Sequence, residues 1–125
     1  CEKQYRQCVF NILSHNRDDH SKNFSFLMDS NSTWCMSPSY DLTFSSGPSG
    51  EHCSMVMGEG KNPAIFHLLE LAKVSNIKKT DALNIINEIK LSVQRWPEFA
   101  KKAGVSHASI KLIYSSINKI TKENF

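Results

Sequence analysis

Three polar side chains with the chemistry of a phosphoryl-transfer site follow the first apolar segment of the chain. Asp18 precedes Asn23 by five positions in a polar loop, and Asp41 comes eighteen positions after Asn23. A carboxylate at the first position can accept a proton from a hydroxyl group. An amide oxygen and a carboxylate can hold magnesium when phosphates and water complete its coordination. This order and spacing are typical of kinases, in which a loop Asp accepts the proton of the substrate hydroxyl and an Asn and a later Asp bind magnesium.

Each residue of this loop also has an ordinary structural interpretation. Asp18, Asp19 and Asn23 are residue types that commonly form turns and caps. Lys22 either contacts a phosphate or stays solvated, and His20 either orients the loop or packs beneath it. We expect Asp19 to point away from the site, because two adjacent carboxylates aimed at one place would raise each other's pKa. The assignment therefore depends on the whole set of residues rather than on one of them.

The two motifs and their order resemble the C-terminal lobe of the HipA-like serine/threonine kinases. The motifs are Asn16-x-Asp18-x-His20-x-Lys22-Asn23-Phe24-Ser25 and, after an apolar strand, Ser37-Pro38-x-Tyr40-Asp41-Leu42. The resemblance implies that Asp18 is the catalytic base, that Asn23 and Asp41 are Mg²⁺ ligands, and that ATP is the phosphoryl donor. It also implies that the protein is the toxin of a bacterial toxin–antitoxin system. Its partners would be a HipB-like DNA-binding antitoxin and a protein substrate, and aminoacyl-tRNA synthetases are among the family's substrates.

A second function class is a kinase-like lobe without activity that serves as a protein-binding module. The presence of Asp18, Asn23 and Asp41 together favours the enzyme, because an inactive lobe has no chemical reason to keep all three. A nucleic-acid-binding helical protein is a third alternative, and it lacks the basic face that such binding needs. With a net charge of +3 over 125 residues, we expect no direct contact with nucleic acid.

Composition predicts an ordinary globular chain in a reducing compartment. Hydrophobic residues make up 40% of the sequence, enough for a modest core. The four cysteines, Cys1, Cys8, Cys35 and Cys53, form no CxxC pair and predict neither a zinc site nor a disulfide framework. No apolar run approaches the roughly 20 residues of a membrane span, so we expect a cytoplasmic protein without membrane contact.

The domain prediction is a single unit over residues 1–125, with catalytic and metal-binding loops and a hairpin in 1–60 and a helical bundle in 61–125. A kinase also needs a Gly-rich loop over the phosphates and a strand-borne lysine, and these 125 residues contain neither. We therefore expect the nucleotide-binding lobe to be absent from this chain and to lie upstream of Cys1.

Hydrophobic periodicity predicts a mainly α (α+β) fold, a kinase-like C-terminal lobe with a small β-hairpin. A helix is expected over residues 2–14, a hairpin from 24–28 and 34–36, a flexible loop over 45–50 and a short strand over 52–57. Later helices are expected to start at Asn62-Pro63, at Thr80 or Asp81, and at Ser106. Trp34 and Trp96 are expected to be core anchors. The other histidines are expected at the surface or in the core: His15, His52, His67 and His107.

Overall fold

The computed structural model describes residues 2–125, so Cys1 lies outside the described part of the chain. Five α-helices and one two-stranded antiparallel sheet make up the regular structure there, which confirms the mainly α (α+β) prediction. The helices are α1 (Glu2–Leu13), α2 (Ile65–Val74), α3 (Lys79–Gln94), α4 (Trp96–Lys102) and α5 (His107–Asn124). The strands are β1 (Phe26–Met28) and β2 (Trp34–Met36).

One hydrophobic core joins α1 to the later helices. Tyr5, Val9, Ile12 and Leu13 recur at spacings of three and four on α1, and all are buried. They pack in one cluster with side chains of the other helices, which include Leu68, Ala72, Ala82, Ile85, Ile86, Val93 and Ile117. Burial of this stripe fixes α1, and α1 in turn fixes the polar loop that follows it.

The predicted helix starts are partly wrong. Ser106 does cap α5, where its hydroxyl accepts from the Ser109 amide at 3.2 Å. The helix α2 instead starts at Ile65, two residues after Pro63, and α3 starts at Lys79 with no side-chain cap. At α2 the ring nitrogen Nδ1 of His67 accepts from the Ala64 amide at 3.0 Å, so a histidine supplies the bond expected from a capping Asn.

The predicted strand over 52–57 does not form. The His52 amide donates to the Gly60 carbonyl at 2.7 Å, and the Cys53 amide donates to the Arg17 carbonyl at 3.0 Å. Val56 and Glu59 close a tight turn with two mutual backbone hydrogen bonds. These backbone groups form their hydrogen bonds with the polar loop and within a turn, so they do not pair with a neighbouring strand.

The hairpin forms as predicted, but Trp34 is not a core anchor. Phe26 pairs with Met36, and Met28 pairs with Trp34. The strand β1 is exposed along its whole length, and Trp34 is 65% exposed. The hairpin extends beyond the helices, so its apolar side chains have no core to enter. Trp96 does pack against the hydrophobic core.

Candidate active site

The polar loop begins where α1 ends, and Asn16 holds it there. The Asn16 amide donates to the Asn11 carbonyl at 2.8 Å, and the Asn16 side chain donates to Asn11 Oδ1 at 3.1 Å. Asn16 is almost fully buried. His15, just before it, has the left-handed φ of 58° that turns the chain out of the helix. The side-chain pair of Asn11 and Asn16 therefore sets the direction in which the loop leaves α1.

One later segment, residues 45–50, lies against the backbone of the loop. Ser45 lies alongside Asn16 in a parallel bridge, and the Arg17 amide donates to the Ser45 carbonyl at 3.2 Å. The segment 45–50 predicted as a flexible loop contains a 3₁₀ turn, Pro48–Gly50. A Cβ on Gly47 would lie 2.7 Å from the Arg17 Cβ and 2.0 Å from the Glu51 carbonyl oxygen, so only glycine fits this approach.

Asp18 and Asn23 belong to one hydrogen-bonded turn. The Asn23 side chain donates from Nδ2 to the Asp18 carbonyl at 2.9 Å, across a 3₁₀ turn, Ser21–Asn23. Asn23 is buried, whereas the Asp18 side chain is 50% exposed. Because the amide nitrogen is bound inside the turn, the oxygen Oδ1 is the Asn23 atom that can face a cation.

Two further side chains lie near the Asp18 carboxylate. His20 Nε2 and Cys53 Sγ are each 3.8 Å from Asp18 Oδ1. Desolvation raises the pKa of the Cys53 thiol, and the negative charges of Asp18 and Asp19 raise it further. The thiol is therefore neutral at pH 7 and can donate to the carboxylate. The sequence analysis missed this position, because Cys53 lies 35 residues after Asp18 and belongs to no recognisable motif.

The hairpin brings the Asp41 segment back to the turn that contains Asn23. After β2, the Ser37 amide donates to the Ser25 carbonyl at 2.9 Å, and the two hydroxyl groups lie 2.9 Å apart. The Tyr40 hydroxyl then donates to the Lys22 carbonyl at 2.8 Å. Lys22 directly precedes Asn23, and Tyr40 directly precedes Asp41, so this hydrogen bond joins the two segments. Tyr40 therefore has a structural role.

The remaining candidates differ in their surroundings. Asp41 is exposed and has a φ of 53°, a left-handed conformation that Asp tolerates better than most residues. Lys22 is exposed. His20 is half-buried, and its Nδ1 has no hydrogen-bond partner among residues 2–125. The Nε2 of His20 lies 3.8 Å from Asp18 Oδ1, too far for a hydrogen bond, so the loop-orienting role of His20 stays a prediction.

Asp19 points away from Asp18, as predicted, and anchors the loop from behind. Its Oδ2 lies 3.0 Å from His52 Nδ1, and its Oδ1 accepts from the Ser54 amide at 3.0 Å. The Ser54 hydroxyl also donates to the Asp19 carbonyl at 2.6 Å. The side chains of Asp19 and His52 are 6% and 2% exposed. Sequence reasoning placed His52 at the surface or in the core and did not identify it as the partner of Asp19.

The donor set suits magnesium. The Asn23 amide oxygen and the Asp41 carboxylate are hard oxygen donors, and magnesium commonly takes one or two protein ligands together with phosphates and water. Within residues 2–125 no group of three His, Cys, Asp or Glu side chains could enclose a metal ion.

The family model described as the HipA-like C-terminal domain matches residues 1–119 of this 125-residue chain. No curated protein matches the chain. None of the helices in the described part of the chain has the length and apolar character to cross a membrane.

Proposed function

Since this chain belongs to the HipA-like C-terminal domain family, we propose that it is the catalytic lobe of a serine/threonine protein kinase. The reaction is the transfer of the ATP γ-phosphoryl group to a hydroxyl group of a protein. The observation that most supports this proposal is the hydrogen bond from the Asn23 side chain to the Asp18 carbonyl. It joins the proton acceptor and the metal-binding amide in one turn.

Asp18 is the general base in this proposal. Its carboxylate is half exposed, so a substrate hydroxyl can approach it, whereas its backbone is held by Asn23 on one side. Asp19, the next residue, is fixed by His52 and Ser54. A base held on both sides keeps its orientation when the hydroxyl arrives, and this lowers the cost of reaching the reactive geometry.

Asn23 Oδ1 and the Asp41 carboxylate are the proposed Mg²⁺ ligands. Magnesium, when bound, neutralises charge on the phosphates of ATP. Tyr40 keeps the Asp41 segment against the turn through its bond to the Lys22 carbonyl. The Lys22 side chain is exposed and is proposed to contact a phosphate.

The wider setting follows from the family. We propose that the protein acts in the bacterial cytoplasm as the toxin of a toxin–antitoxin pair. A HipB-like DNA-binding antitoxin would be its partner, and a protein such as an aminoacyl-tRNA synthetase would be its substrate. The single-unit organisation of residues 1–125, with a nucleotide-binding lobe outside them, is part of the same proposal.

Phosphoryl transfer by the full-length protein tests the proposed reaction. With γ-labelled ATP, magnesium and a protein acceptor, Asp18→Asn should reduce labelling by at least about 10²-fold, because a positioned general base contributes 10²–10⁴-fold. The matched control is Asp81→Asn, an exposed carboxylate in the first turn of α3. Equal labelling by the Asp18→Asn variant and the parent protein would exclude Asp18 as the base.

The alternative function, a protein-binding module without activity, is favoured by the exposed hairpin. Phe26, Leu27, Met28 and Trp34 are each more than half exposed on a short two-stranded sheet. Exposed apolar side chains in a group are common at protein interfaces. A full-length protein that binds no ATP in the presence of magnesium, but loses a protein partner on Trp34→Ser, would favour this alternative.

A further inference from the structure

A cavity of about 350 Å³ lies between the start of the polar loop and the second half of α5. Many of its lining side chains are positively charged or can become so: His15, Arg17, His52, Lys61 and Lys119. Glu123 is an acidic residue that also lines the cavity. The cavity is not lined by Asp18, Asn23 or Asp41. The excess of positive groups favours an anionic ligand.

Arg17 lines this cavity and is partly buried. Its guanidinium donates from Nη1 to the Gly50 carbonyl and from Nη2 to the Lys61 carbonyl, the latter at 3.0 Å. The third nitrogen, Nε, is buried and has no hydrogen-bond partner among residues 2–125. A buried N–H of a charged group without an acceptor costs free energy. A guanidinium carries five N–H donors, so Nη1 and Nη2 each keep one N–H beyond these two bonds.

His15 lines the same cavity. Its Nδ1 lies 3.1 Å from the Ser45 carbonyl oxygen. Burial lowers the pKa of His15, and the positive charges of Arg17 and His52 lower it further. A bound anion would act in the opposite direction and raise the pKa of His15.

We propose that this cavity binds a phosphate group, with Arg17 as a partly buried donor and Lys61 and Lys119 at the exposed edge. A phosphate has several acceptor oxygens and about two negative charges at neutral pH, so it can take bonds from donors on different sides. Free phosphate and the phosphate of a modified side chain share this chemistry. Arg17 directly precedes Asp18 and is bonded to two later segments, so the bound anion would connect α5 to the polar loop.

The test is a titration of the 125-residue chain with sodium phosphate, monitored by NMR. The ionic strength is kept constant, and sodium chloride is the reference salt. We expect saturable shifts of residues around the cavity and a rise in the pKa of His15. Arg17→Gln should weaken binding about tenfold, the effect of losing one charge-assisted hydrogen bond. Lys119→Gln should weaken it severalfold. Lys111→Gln, which removes an exposed lysine of α5 that does not line the cavity, should change it less than twofold.

A parallel titration with O-phosphoserine distinguishes the two sources of phosphate. Tighter binding of phosphoserine would assign the site to a phosphorylated side chain, and tighter binding of phosphate would assign it to the free ion. Shifts that do not saturate, or that chloride reproduces, would overturn the proposal. If Arg17→Gln does not fold, phosphate binding is measured with the double variant Lys61→Gln/Lys119→Gln instead. Unchanged affinity of that variant for phosphate also overturns the proposal. None of these outcomes depends on kinase activity.

Discussion

The Asp19 carboxylate lies 3.0 Å from His52 Nδ1 in the interior, whereas the carboxylate of the adjacent Asp18 is half exposed at the surface. His52 and Ser54 hold the Asp19 carboxylate, whereas the Asp18 carboxylate lies beside Cys53 and stays accessible. The exposed carboxylate is therefore available for chemistry, and the buried one holds the loop in place. His52 and Ser54, which bind Asp19, come from a segment that has no regular secondary structure.

Asp19→Ala should destabilise the fold. The change removes the acceptor for the Ser54 amide and leaves His52 buried without its carboxylate partner. We expect a loss of about 2–4 kcal/mol in the free energy of unfolding, since the buried His52 ring loses its hydrogen-bond partner and the Ser54 amide loses its acceptor. Urea denaturation followed by circular dichroism measures it. Asp81→Ala, at an exposed position, should stay within about 0.5 kcal/mol of the parent protein. Equal stability of both variants would show that Asp19 does not anchor the loop.

The helices and the hairpin were predictable from the sequence because their signals are local. The stripe from Tyr5 to Leu13 has helical spacing, and the hairpin strands are separated by a run of turn-forming residues. The bond between Asp19 and His52 was not predictable, since it joins residues 33 positions apart and no local pattern marks it. The prediction that Trp34 is a core anchor was wrong for a related reason. Its residue type favours burial, but its position on a projecting hairpin decides its exposure.

The candidate site was predictable in part. The bond between the Tyr40 hydroxyl and the Lys22 carbonyl agrees with the expected return of the chain beside Asn23. The left-handed conformation of Asp41 and the closeness of Cys53 to Asp18 were not foreseen. Both depend on backbone geometry that residue types alone do not determine. The catalytic and metal-binding roles themselves remain predictions.

Tyr5→Phe should reduce the loss of stability at alkaline pH. Burial, with a smaller contribution from Cys8, raises the pKa of Tyr5 to about 12. Since the pKa is near 10 in the unfolded chain, the neutral phenol stabilises the fold below pH 10, and this contribution is lost as the pH rises from 10 to 12. The measurement is the unfolding free energy between pH 8 and pH 11.

At neutral pH the same variant should lose about 1 kcal/mol, because the Tyr5 hydroxyl donates to the Leu68 carbonyl at 3.1 Å in the core. The control is Tyr114→Phe on α5, which is only partly buried. A Tyr5→Phe variant whose stability falls with pH as steeply as the parent protein would contradict the role of Tyr5. A residual slope is expected from Cys8, whose pKa is raised to about 12, mainly by burial, and from Cys53, whose pKa is also raised.

Asp41→Asn should weaken magnesium-dependent nucleotide binding without affecting the fold. Asn tolerates the left-handed conformation at position 41 as well as Asp does, and the side chain is exposed, so stability should be unchanged. Removal of one carboxylate ligand should lower the affinity of the full-length protein for ATP with magnesium by about tenfold or more. Calorimetric titration with ATP, in the presence and absence of EDTA, separates magnesium-dependent from magnesium-independent nucleotide binding. An equal loss of affinity in EDTA would argue against Asp41 as a metal ligand.

Residues 1–125 alone should show no measurable kinase activity. Two protein ligands for magnesium and no Gly-rich loop leave most of the phosphate charge to water, so the nucleotide should bind weakly at best. Activity should appear when a nucleotide-binding lobe is present in the same chain or is added in trans. The assay incubates the purified 125-residue protein with labelled ATP, magnesium and a protein acceptor, and Asp18→Asn is the negative control. Strong labelling by residues 1–125 that disappears in Asp18→Asn would show that the chain is sufficient and would refute this prediction.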